Sequence, residues 1–327
     1  DLMHFTHFNA PMLYFKPYVV TIHDLILQRF PTVKEALFGR LKYFLKNIGY
    51  KIVIRLVVSR AKKIIAISRF VKNDIIKSFG VAENKINVIY EGTPSSVIAS
   101  SARAGRSNPA ENLQNDGIAA LSLDGLGTPR NDENLLAKYK IQKPYLLYVG
   151  NAYPQKNLAR LIEAFKILVE GGYNDLRLAL VGEKEYFYRK LREQSESIIL
   201  QSMVKKDQMV FTGFVPDEEL GALYQNASIY VFPSLCEGFG LPPLEAMARG
   251  APVVSSNATC LPEILGQAAH YFDAASPADM AAKISEVLTD ESLRQKLIVA
   301  GFEQIKKYSW QRMAEETQKI YVNCARC

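Results

Sequence analysis

Apolar runs in this 327-residue sequence all stop short of the roughly eighteen residues a helix needs to cross a bilayer, so no transmembrane segment is indicated. Nor is a secretory leader indicated by the opening "DLMHFTHFNAP", which has no basic segment, no apolar core and no small-residue cleavage site. It has no initiator Met either, and "DLMHF" reads as a strand already inside a domain, so the natural N-terminus is expected upstream. Four cysteines do not make a disulfide framework in a chain this long. Cys324 and Cys327 form one C-x-x-C with no second pair, which reads as frayed terminal thiols rather than a zinc site. A reducing, cytoplasmic compartment fits, at most at the inner face of a membrane. Histidine is scarce, with four scattered copies, and no D-x-D follows an apparent strand. No metal site is therefore expected; His4 and His7 of "HFTH" are three apart, but in an apparent strand and loop. Aromatics vanish from Glu91 to Lys138 in a chain that is 10% aromatic. That Ser, Gly, Asn and Ala-rich stretch cannot bury much and reads as a mobile linker or loop insertion at about 93–140.

What is present is a globular composition, 48% hydrophobic and 22% charged, in a length comfortable for two domains. The net charge of +7 is uneven: residues 1–93 hold 15 Lys and Arg against 6 Asp and Glu, the rest 25 against 27. Such a basic first part suits anionic partners, phospholipid or a phosphorylated substrate, and nothing points to nucleic acid. From Lys34 to Lys63 nine basic residues face only Glu35. The stretch reads either as a basic amphipathic helix resting on anionic lipid or as a core helix with snorkelling Lys and Arg, alternatives that liposome flotation with and without anionic lipid separates.

From residue 144 the pattern alternates regularly. The short apolar runs "PYLLYVG", "LRLALVG", "QMVFTG", "SIYVFPS", "PVVSS" and "HYFD" flank helical periods at about 157–170, 185–200, 217–226, 242–249, 261–266, 277–289 and 291–307. Strands apolar on both faces, alternating with helices, mean a parallel sheet covered on both sides. The first part is also strand–helix: "PYVVTIHD", a helical stretch near 33–60, "KIIAIS", a helix near 69–79 and "INVIYEG". The reading is α/β with two Rossmann-like domains: 1–140, with its linker, and 141–307. Residues 308–327 add a terminal helix expected to pack back on the first domain. In such sheets ligands bind beyond the carboxyl ends of the strands.

"CEGFGLPPLEAMARG", residues 236–250, lies at one such end, after the strand "SIYVFPSL". Pro242 and Pro243 suit a first helical turn, Gly238 and Gly240 let backbone approach a ligand, and amide groups at a helix start attract anions. Glu237 then lies in the loop and Glu245 in the first turn. Carboxylates on either side of a phosphate cradle suit a ligand with diols at both ends, and a nucleotide sugar is such a molecule. Acids placed favourably at a helix start would look the same. "YVGNAYPQKN" puts Gly150 and Lys156 at the same sheet edge, where a lysine neutralises a diphosphate, although a lone loop lysine is also commonly just solvated.

With these residues the sequence resembles the retaining GT-B glycosyltransferases of family 4, also called group 1. The resemblance rests on the E-x7-E of Glu237 and Glu245, "VGNAYPQKN", "FTGFVPDEELGALYQNASIYVFPS", "PVVSSNATCLPEILGQAA" and "YSWQRMAEETQKIY", with "TIHDL" and "AISRFVKNDI" in the first half. It covers nearly all of the chain outside 93–140 and is nearest to mannosyltransferase-like members that build bacterial polysaccharide. It implies that Glu237 contacts hydroxyls of the donor hexose and Glu245 those of the ribose. Amides of Gly238, Phe239, Gly240 and Leu241 would face sugar and diphosphate. Lys156 would hold the departing diphosphate beside Gly150 and Asn151, and His23 of "TIHD" would reach the transferred sugar. Without the resemblance His23 reads as a capped loop histidine.

Three departures stand out. Asn151 sits where many members have Arg, and Cys236 where an aromatic is common. The family's first strand and Gly-rich loop have no counterpart ahead of Asp1, so the first domain is expected to be incomplete. The implied activity is metal-independent hexosyl transfer, with retention, from a GDP- or UDP-linked donor to a glycan or polyprenyl-linked acceptor, with no other cofactor. A truncated binder of nucleotide sugars is the alternative. Glycoside hydrolysis by a carboxylate pair is the third reading, which Lys156 and the helix-start cradle argue against.

Overall fold

The computed structural model describes residues 2–11, 13–30, 39–93, 132–183 and 185–325. Most of the expected linker therefore lies outside the described residues. The part from Asp132 does not behave as linker. It forms a helix, α4 (Asp132–Lys138), after β1 (Met3–Phe5), β2 (Tyr18–Ile22), α1 (Ile26–Arg29), α2 (Gly39–Arg60), β3 (Lys63–Ala66), α3 (Arg69–Phe79) and β4 (Ile86–Val88). The reason is local: acids open the α4 turn, Leu136 is buried, and Lys138 and the Tyr139 hydroxyl both meet the Glu219 carboxylate.

The first four strands form one parallel sheet in the order β1-β2-β3-β4. Alternate residues of β2 serve opposite faces. Val20 and Ile22 join Ile54, Val57 and Val58 of α2, whereas Val19, with Ile65 and Ile89, packs against Ile320 and Cys324 of the C-terminal helix α12 (Trp310–Ala325). A helix on each face explains why all five β2 residues are buried. Cys324 is thus a packed side chain and not a frayed thiol; Cys327 lies outside the described residues. His4 and His7 have separate roles: His4 hydrogen-bonds Thr21 Oγ1 (2.9 Å) and the Tyr321 hydroxyl, while His7 packs on Phe8.

The second domain holds β5 (Tyr145–Val149), β6 (Arg177–Val181), β7 (Met209–Gly213), β8 (Ile229–Phe232), β9 (Val253–Ser256) and β10 (Ala269–Phe272). All pair in parallel in the order β10-β9-β8-β5-β6-β7. Its helices are α5 (Leu158–Glu170), α6 (Tyr186–Leu200), α7 (Asp217–Asn226), α8 (Leu241–Ala248), α9 (Leu261–Leu265), α10 (Pro277–Thr289) and α11 (Glu291–Ile305). The strand order reverses between β5 and β8, which makes their carboxyl ends the switch point where such sheets take ligands. Among the described residues, no helix is long and apolar enough to cross a membrane.

Candidate active site

Two loops leave the switch point, and the fold stitches them together. After β5, Asn157 turns at φ +60° and its amide donates to the carbonyls of Pro233 (3.0 Å) and Ala274 (2.8 Å). The Leu235 N–H donates to the Gln155 carbonyl (2.7 Å). This fixes the turn Pro154–Lys156 against the β8 loop, and Lys156 Nζ lies 2.6 Å from Glu237 Oε1. Both side chains are largely withdrawn from water, at 15% and 11% exposure. Lys156 also stands 5.6 Å from the centre of the Phe232 ring. In the same loops Gln155 Oε1 and Ser234 Oγ are buried and take no hydrogen bond.

The β9–α9 loop supports the glutamate loop from below. Thr259 Oγ1 accepts the Glu237 N–H (3.1 Å), and the Cys260 thiol reaches the carbonyls of Glu237 and Phe239 (3.3 and 3.2 Å). Burial pushes the Cys236 thiol up to about 11 and Cys260 well above its ordinary value, so neither is a thiolate at neutral pH. Gly240 turns at φ +108° into α8, which begins at Leu241. Pro242 and Pro243 have no N–H, so the free amides at this helix start are confined to the residues ahead of them. Glu245 is the fifth residue of α8 and so lies beyond the first turn, not within it as its sequence spacing from the prolines suggested. The Tyr224 hydroxyl donates to Glu245 at 3.2 Å, and burial holds the Glu245 carboxyl above the usual range. Gly150 closes β5, its N–H on the Val181 carbonyl and its own carbonyl taking the Tyr188 hydroxyl; the Asn151 carbonyl takes that of Tyr148.

The first domain presents its own strand ends to this loop. His23 follows β2, and its carbonyl abuts Gly238. Its ring is held at both nitrogens: Nδ1 lies 2.9 Å from Glu91 Oε1 and Nε2 2.9 Å from the Thr6 carbonyl. Two acceptors call for two N–H groups, the state of an imidazolium. The Glu91 hydrogen bond raises the His23 pKa, against burial, with help from the Thr6 carbonyl and Asp24. A raised histidine contributes stability that is fully present below its unfolded pKa and is lost as pH climbs through the folded one. Glu91→Gln should therefore lower the His23 pKa, read from its ring signals in a proton NMR titration; an unchanged titration would contradict the assignment.

Sequence reasoning missed Glu91, although its place in "YEG", three residues after β4, was a usable signal. It also missed Arg29, which pairs with Asp74, lies over Phe70 (5.3 Å) and acts on the Cys236 thiol. Among the described residues no three of His, Cys, Asp or Glu converge as a metal site would require.

Two α/β domains with parallel sheets whose carboxyl ends face each other, and a lysine–carboxylate pair at the switch point, define the GT-B class of glycosyltransferases. Sequence profiles agree: that described as glycosyl transferases group 1 matches residues 131–304, and that described as glycosyltransferase family 4 matches residues 1–96. The chain is 30% identical over 304 residues to the O-antigen chain mannosyltransferase B of Escherichia coli, covering 93% of this chain and 69% of that protein. It is 35% identical over 185 residues to the serotype-specific mannosyltransferase WbdA of Escherichia coli, covering 56% of this chain and 22% of that one. The crystal structure of Anabaena HepE in complex with UDP and glucose matches with a TM-score of 0.68 at 16% identity, over 95% of this chain and 72% of that one. The chain belongs to the group 1, family 4 glycosyltransferases and is mannosyltransferase-like among them.

Proposed function

We propose that the chain transfers a hexose, mannose by its relatives, from a GDP- or UDP-linked donor to a glycan or polyprenyl-linked acceptor, with retention and without a metal ion. The observation that carries this reading is the Lys156–Glu237 pair at the switch point, with His23 opposite. A leaving diphosphate needs its developing charge met by fixed donors. Lys156 supplies one, the amides of Gly238, Phe239, Gly240 and Leu241 supply others, and His23 adds a cation from the facing domain. That second cation offsets the arginine that Asn151 replaces.

In the resting pair Lys156 and Glu237 neutralise each other. An arriving donor exchanges the partners: diphosphate takes the ammonium, and the released carboxylate accepts hexose hydroxyls. Glu245 takes the ribose hydroxyls, and Gly150 and Asn151 line the diphosphate side. Residues 236–240 are buried in the closed arrangement, so the domains part before a donor enters. With both nearby thiols protonated and no other covalent nucleophile evident, the acceptor attacks the face from which the diphosphate leaves.

The test is incubation with GDP-mannose and UDP-glucose plus a mannosylated polyprenyl-diphosphate acceptor, with and without EDTA, followed by proton NMR of the anomeric centre. One donor should turn over, at an EDTA-independent rate, to a product of retained configuration. Inversion rejects the retaining step, loss of activity in EDTA rejects metal independence, and donor binding without turnover marks a nucleotide-sugar binder instead.

A further inference from the structure

The first turn of α3 belongs to one domain and is capped by the other. An α-helix leaves its leading N–H groups without intrahelical partners, and negative charge is favoured there. Ser68 is the N-cap and accepts the Val71 N–H at 3.1 Å. The N–H groups of Arg69 and Phe70 go to Glu263 on α9, at 2.7 Å to Oε1 and 3.1 Å to Oε2. The Tyr90 hydroxyl, following β4, donates to the same Oε1 at 3.0 Å. Three donors from the first domain thus converge on one carboxylate of the second.

Two further contacts run alongside. The Ser68 hydroxyl, while accepting from Val71, gives its one proton to the Gly238 carbonyl at 2.7 Å, inside the glutamate loop. The Tyr90 ring lies 6.2 Å from Phe239 and 5.8 Å from Tyr308, which are 5.4 Å from each other. The α3 start is therefore tied at one point to the loop and at another to α9, with an aromatic trio between.

We infer that Glu263 is a positioning residue that latches the two domains together and so sets loop 236–240 against His23. The value of that loop rests on the glycosyl-transfer reading above; the latch does not. Both Glu263 oxygens are occupied by the first domain, so the residue acts through α3 and Ser68 rather than on a substrate. With the carboxylate gone, the Arg69 and Phe70 N–H groups find partners only in water, which favours parting of the domains. The Ser68–Gly238 bond, buried and direct, then opens with them.

Small-angle scattering reports on this without any assay of turnover. Glu263→Ala should enlarge the radius of gyration, with far-UV circular dichroism unchanged. Tyr90→Phe, which removes one of three hydrogen bonds and no packing, should shift it in the same direction by less. In the transfer assay Glu263→Ala should lower kcat at least tenfold with a smaller change in donor KM. An unaltered radius of gyration in a folded Glu263→Ala protein overturns the latch; if Glu263→Ala does not fold, an unaltered radius in Tyr90→Phe overturns it instead. Wild type that closes by this measure yet turns over no nucleotide sugar leaves the latch standing and rejects the transfer reading.

Discussion

Replacing Lys156 by alanine is expected to lower sugar transfer by about 10²–10³-fold and to destabilise the fold by roughly 3–5 kcal/mol. The first effect follows from the loss of a fixed charge at the leaving diphosphate. The second follows from what remains: Glu237, 11% exposed, is left without its 2.6 Å partner. Breaking a buried pair from one side costs more than deleting it, because the orphaned charge has lost both water and counter-ion. The double variant Lys156→Ala/Glu237→Ala should accordingly unfold at higher urea than Lys156→Ala alone, while being at least as inactive. Urea melts of the two singles and the double complete the cycle. If Lys156→Ala melts like wild type and turns over at its rate, the pair has neither the structural nor the chemical role assigned to it.

Both partners were legible in the sequence, though not their pairing, because each sits in a loop with its own local signal. Lys156 follows an apolar run ending in glycine, and Glu237 lies between a strand and a Pro-Pro helix start. The helices of the second domain were legible for the same reason. Ser276 and Asp290 cap α10 and α11, accepting the N–H groups of Asp279 and Leu293. What was not legible is joined only by the tertiary fold. Glu91 is 68 residues from the histidine it holds, and Glu263 is more than 190 from the amides it caps. Nothing in "YEG" or "CLPEILG" says which far strand end will stand opposite. The α4 helix was missed for a different reason. Low aromatic content up to Lys138 masked a short amphipathic segment whose Leu136 contact is made to another helix layer.

Gly238→Ala is expected to lower kcat by at least about 10²-fold, from a displacement of atoms rather than from strain. Gly238 is absent from the positive-φ glycines, so alanine fits its backbone conformation. The new Cβ, however, would fall on the His23 carbonyl oxygen, 3.1 Å from that group's carbon and 3.2 Å from Asp24 Cβ. A backbone carbonyl cannot swing aside as a side chain does, so the loop or the domain must withdraw, and the Ser68–Gly238 bond withdraws with it. Gly240→Ala makes the contrast. There φ is +108° and the new Cβ meets only Leu261 Cδ2, at 3.0 Å, and Pro243, both within the same domain. Its strain distorts the loop and lowers activity but leaves the domains in register. The radius of gyration in small-angle scattering should therefore rise in Gly238→Ala and stay at the wild-type value in Gly240→Ala. Gly238→Ala with wild-type kcat and a wild-type radius of gyration would mean that the His23 carbonyl and the glutamate loop do not meet in the working enzyme.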